Sequence, residues 1–126
     1  MKIFDANMIL RYLINDNIEM ADYVENLIEK NEVIVLPEVI AEVVYVMTKV
    51  YKRDRSDIAK GIITFLETDN IKTNCGNVIK NGLQLYDENN LDFVDCLLCA
   101  YHKEYGHEIC TFDKKLNKLI KKIDSI

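Results

Sequence analysis

The stretch VIVLPEVIAEVVYVM, residues 33–47, can be assigned to strand or to helix, and the fold class turns on the choice. By composition its second half favours a strand, because Val39, Ile40, Val43, Val44 and Val46 are β-branched. The period argues otherwise. Apolar residues at 39, 40, 43, 44, 47 and 50 follow helical spacing and do not alternate. Pro37 fits the first position of a helix, where its missing N–H costs nothing. The stretch therefore divides into a buried strand, Val33 to Leu36, and a helix that opens at Pro37.

The same order of strand and helix repeats on both sides. Upstream, Lys2 to Asp5 reads as a short buried strand ending in an acid, and Asn7 to Ile14 as a helix. Ile18 to Lys30 is an amphipathic helix, with Met20, Ala21, Val24, Leu27 and Ile28 on one face. Downstream, Arg53 to Asp57 reads as a loop with Ser56 as a cap. Ile58, Ile62, Phe65 and Leu66 mark a helix, and Ile71 to Thr73 a short strand. Val78, Ile79, Gly82, Leu83 and Tyr86 mark the next helix, and LDFVDCLLCAYH, Leu91 to His102, a buried one. Glu108 to Phe112 reads as a strand, Lys114 to Leu119 as a helix, and Lys122 to Ile126 as a closing strand. Strands alternating with helices predict an α/β fold with a mostly parallel central sheet and helices on both faces. One proline, no repeat and no long linker predict a single domain over residues 1–126.

Composition narrows the function. Apolar residues make up 49% and charged residues 29%, which is ordinary for a soluble domain. No apolar run has the length of a membrane span, and Asp5 interrupts the apolar start, so a cytoplasmic location is expected. Cys96 and Cys99 form a C-x-x-C inside a helix, where buried thiols are usually core; zinc would need more ligands than Cys75, Cys110, His102 and His107 supply in this scatter. The net charge of −5 speaks against nucleic acid, unless several acids share one metal site.

The acids have such a distribution. Asp5 ends the first strand and Asp113 follows Glu108 to Phe112. Asp92 and Asp95 open the helix of Leu91 to His102. Each can be read as a cap or first-turn acid that meets a helix dipole. Glu42 cannot, because it stands mid-helix among apolar residues, where a charge needs a partner or a metal. In parallel sheets the ligand crevice lies at the strands' carboxyl ends. Up to five carboxylates there, with no basic cluster among them, suit Mg²⁺ or Mn²⁺ and phosphodiester hydrolysis.

Taken in order, FDANMILRYL, LPEVIAEVVYVM, LDFVDCLLCA and CTFDKKL resemble the motifs of PIN-domain nucleases, most of all the VapC-type toxins of toxin–antitoxin pairs. The resemblance spans nearly the whole chain and implies a three-layer PIN-like fold. It implies catalytic and metal-holding roles for Asp5, Glu42, Asp95 and Asp113, with Asp92 as an additional metal acid. It places Asn7 at a hydrogen-bonding position in the site and Thr111 beside the metal water. Ala6 stands where the family usually has Thr or Ser. The implied activity is endoribonucleolytic cleavage of single-stranded or looped RNA, leaving a 5′-phosphate and a 3′-hydroxyl. The implied partners are an antitoxin and a second copy of the chain. Arg11, Lys49, Lys52, Arg53, Arg55, Lys114 and Lys115 are candidates to hold the phosphate backbone. Tyr12, Tyr45 and Tyr51 are candidates to stack on bases.

Two other classes compete. IFDANMIL also resembles the nucleophile motif of haloacid-dehalogenase-type phosphatases, but Asn7 would occupy the position of the general acid, a role an amide cannot fill. A phospho-receiver domain would need a lysine near its last strands. A PIN fold that only binds RNA or protein would not need an intact acid set.

Overall fold

The computed structural model describes residues 1–126. The chain divides into two compact units, Met1–Gly76 and Asn77–Ile126.

The first unit holds the sheet. Strands β1 (Lys2–Ile3), β2 (Val33–Ile34) and β3 (Ile71–Lys72) pair in the order β1-β2-β3, both pairings parallel. The ladder runs slightly beyond these strands. Phe4 N–H donates to the Ile34 carbonyl at 3.4 Å and Val35 N–H to the Lys72 carbonyl at 2.9 Å. Val33 and Val35 are fully buried, as the middle strand of a small parallel sheet requires. Each crossover carries two helices. Between β1 and β2 lie α1 (Ala6–Ile14) and α2 (Ile18–Lys30); between β2 and β3 lie α3 (Pro37–Lys49) and α4 (Arg55–Leu66). Pro37 is at the start of α3 as its chemistry demands, and Ile40, Val43, Val44 and Met47 are the buried stripe. Helix α1 packs against α2, α3 and α4. The α4 cap differs from expectation. Asp54 accepts the Asp57 N–H at 2.8 Å, so the helix begins at Arg55 and takes in residues expected to be loop.

The second unit is helical: α5 (Gly76–Glu88), α6 (Phe93–Tyr105) and α7 (Lys114–Asp124). Cys96 and Cys99 are fully buried on α6, and Gly82 of α5 lies against it. Two expected strands are absent. Glu108 to Phe112 is irregular; Phe112 is fully exposed, and the polar groups that follow bond locally instead of to a ladder. Lys122 to Ile126 is the end of α7 and its cap. The β-branched residues there are too few to outweigh a continuous helical stripe of Leu116, Leu119 and Ile123, of which the leucines are buried. His102 of α6 is held at both nitrogens: Nδ1 is 2.7 Å from the His107 carbonyl and Nε2 is 2.6 Å from Asp124 Oδ1. These bonds raise the His102 pKa, Asp124 contributing most. No helix is long and apolar enough to cross a membrane.

Candidate active site

Asp5 is the N-cap of α1. Its extended backbone directs Oδ1 to the Met8 N–H at 3.0 Å. Asp113 does the same for α7, accepting the Leu116 N–H at 2.9 Å. Each cap engages one carboxylate oxygen, and the second is left for another role. Asp92 is the N-cap residue of α6 without a side-chain cap bond, and Asp95 lies in that helix's first turn. Of the two acids whose spacing invited a capping explanation, neither accepts a hydrogen bond that would account for it.

Within the second unit Asp95 feels the charges of the other two acids. The Asp95 carboxyl is raised above the ordinary aspartate range, first by burial, then by the charges of Asp113 and Asp92. Two segments remote in sequence, the start of α6 and the turn before α7, are thus close enough for their charges to be felt. Arg11 and His102, which form ion pairs, bond to other acids, Asp16 and Asp124. Cys99, one turn beyond Asp95, has its thiol pushed up to about 11 by burial and by Asp95. It is therefore uncharged at neutral pH and is a core residue, not a nucleophile. Thr111 shapes the Asp113 turn: its Oγ1 accepts the Asp113 N–H at 3.0 Å, and its carbonyl accepts from Asn117 Nδ2 at 3.0 Å.

The first unit carries Asp5, Asn7 and Glu42. Asn7 is exposed in the first turn of α1. Glu42 is exposed on α3, which corrects the expectation that its surroundings are apolar enough to demand a partner. The helix is amphipathic, and Glu42 lies with Glu38 and Tyr45 off the buried stripe. Arg11, expected to face phosphate, donates to Asp16 at 3.1 Å.

The donor chemistry of the acid group fits a hard divalent cation: oxygen ligands in a negative field that no cation offsets. The acids are not a preformed cage, since no three His, Cys, Asp or Glu side chains stand together at ligand spacing.

A sheet of parallel strands with paired helices in each crossover, and an acid at each helix start named above, defines a class of protein. The chain belongs to the PIN domain family, which matches residues 2–122 and so spans both units. It is similar to a protein of Aquifex aeolicus (strain VF5) named VapC ribonuclease, at 29% identity over 124 residues that cover 94% of this chain and 92% of the relative. No solved structure matches it.

Proposed function

We propose that this protein is a divalent-metal-dependent endoribonuclease of the VapC type, the toxin of a toxin–antitoxin pair, acting as one PIN domain of three layers over residues 1–126. The observation that carries this reading is the coupled group Asp92, Asp95 and Asp113, in which burial and two neighbouring charges oppose the ionisation of Asp95 with no cation to relieve it. Neither Asp92 nor Asp95 makes a side-chain cap bond, so capping by hydrogen bond does not account for the pair. The family match and the ribonuclease relative support phosphodiester hydrolysis of RNA as the activity.

Asp5, Glu42, Asp95 and Asp113 are the catalytic acids in this reading, and they hold the metal together with Asp92. The chemistry that Mg²⁺ or Mn²⁺ supplies in such a site is Lewis acidity toward water and the phosphate oxygens. The protein's part is positioning. Thr111 holds the Asp113 turn, the α1 cap holds Asp5, and the buried side of α6 holds Asp95. Asn7 extends the polar face beside Asp5. The cognate antitoxin masks this site, and the chain pairs with a second copy through its apolar helices.

Asp95→Asn should lower Mn²⁺-dependent cleavage of single-stranded RNA by at least about a hundredfold, on the scale of removing a principal charge-stabilising group, while circular dichroism is unchanged. EDTA should abolish cleavage by the unaltered protein. Full activity in EDTA would disprove the metal role.

A further inference from the structure

Helix α7 carries Lys114, Lys115, Lys118, Lys121 and Lys122 in eleven residues, nearly a third of the chain's 16 cationic side chains. All five are exposed and none is paired with an acid. In a chain of net charge −5 that is a concentrated cationic face. Lys115, Lys118 and Lys122 stand at i, i+3 and i+7, one stripe of a helix. They line one wall of a groove of about 390 Å³ whose other wall is the turn Asn89, Asn90 and Leu91. No acid lines this groove. Both walls adjoin the acid group along the chain: Leu91 directly precedes Asp92, and Lys115 lies two residues after Asp113.

We infer that the groove between α7 and the Asn89–Leu91 turn is the track that holds the RNA strand as it leaves the carboxylates, with Lys115, Lys118 and Lys122 binding successive phosphates. This rests on the ribonuclease reading and specifies where its substrate lies. Physics favours a polyanion there. The acid group repels a phosphodiester backbone, so substrate affinity has to come from cations nearby. The stripe from Lys115 to Lys122 is about 10 Å long at 1.5 Å per residue, enough to follow more than one phosphate. Flexible lysine ammonium groups suit a backbone held without regard to base. Asn89 and Asn90 add amide groups on the facing wall. The floor is Leu119, buried, which fixes the helix so that the lysines point outward on a rigid support.

The test is binding of a short fluorescein-labelled single-stranded RNA in EDTA, read by anisotropy over a salt series. The triple variant K115Q/K118Q/K122Q should make the slope of log affinity on log salt shallower by about 2, at about 0.7 per phosphate contact. Affinity at moderate salt should fall at least tenfold. In Mn²⁺ the same variant should raise KM more than it lowers kcat. The control K2Q/K30Q/K60Q removes as much charge from exposed sites elsewhere and should leave affinity within twofold. An unchanged slope, or equal losses in both triples, would overturn the track. So would unchanged RNA affinity with lost binding to the antitoxin protein, which would assign the face to a protein partner. The two readings fail separately. RNA that binds through these lysines yet is never cleaved keeps the track and sinks the nuclease; cleavage with an unchanged KM in the triple variant sinks the track alone.

Discussion

Asp5 has two jobs that one substitution can separate. Its Oδ1 caps α1 through the Met8 N–H, and its charge belongs to the proposed metal set. Asparagine is as good an N-cap as aspartate, whereas alanine is not. Asp5→Asn should therefore keep the stability of the unaltered protein in EDTA and lose RNA cleavage. Asp5→Ala should lose cleavage and about 1 kcal/mol of stability as well. Urea unfolding of the two variants beside a cleavage assay checks both; equal stability of the two would show that the cap contributes nothing. Asp113 caps α7 in the same way and belongs to the same proposed set. Both acids could be named from the sequence because a cap and a ligand ask for the same residue type. Glu42 is exposed, and an exposed glutamate on an amphipathic helix needs no partner, so burial gives no reason to place it in the site.

At the scale of elements, two glycines inside helices make opposite demands. Gly61 in α4 has nothing within 4 Å of where a Cβ would stand. Gly61→Ala should stabilise by about 0.5–1 kcal/mol, the helix penalty of glycine removed with no clash added. Gly82 in α5 would place its Cβ 3.3 Å from Leu97 Cα, and backbone cannot yield as a side-chain tip can. There the propensity gain of about 1 kcal/mol meets an overpacking cost of about 1–3 kcal/mol, so Gly82→Ala should destabilise. Thermal melts that shift in opposite directions for the two variants are the expected result; a rise for both would show that α5 and α6 have room to part. The helices up to Leu119 follow from periodicity, but the end of α7 does not. Lys121 and Lys122 interrupt the apolar stripe of Leu116, Leu119 and Ile123, which masks the helix end and the extent of the cationic face in the sequence.

For the molecule as a whole, the acid group should couple stability to pH and, in the proposed reading, to metal. The folded-state pKa of Asp95 is raised above its unfolded value by burial, Asp113 and Asp92. The native state then binds a proton more tightly than the unfolded chain. Its contribution is favourable below about pH 4 and is lost as pH rises through the raised pKa. Metal-free protein should thus lose stability over that acidic window, against the usual trend of salt-bridged aspartates. Asp95→Asn removes the charge at nearly constant volume, so in EDTA at neutral pH the variant should melt higher than the unaltered protein. Mn²⁺ at a hundred times its Kd should stabilise the unaltered protein by about 2.7 kcal/mol and the variant far less. Calorimetry with EDTA and with Mn²⁺ reads both; a variant that melts lower in EDTA and gains as much from Mn²⁺ would remove Asp95 from the metal set.

The features legible in the sequence are local ones. The 3.6-residue period of Val39 to Met47, the proline before it and the acids at helix starts depend on near neighbours along the chain, and all stand where the spacing puts them. The remaining features depend on partners remote in sequence and take shape only in the folded chain. Glu108 to Phe112 has a strand's composition but no ladder to join, and a strand exists only through its neighbour. The coupling of Asp95 to Asp113 joins residues 18 apart, and no period encodes it. The groove of Lys115, Lys118 and Lys122 needs the Asn89–Leu91 turn opposite it to be a groove at all. Composition records which groups are available, whereas charge and shape complementarity arise only when the chain has brought distant segments together.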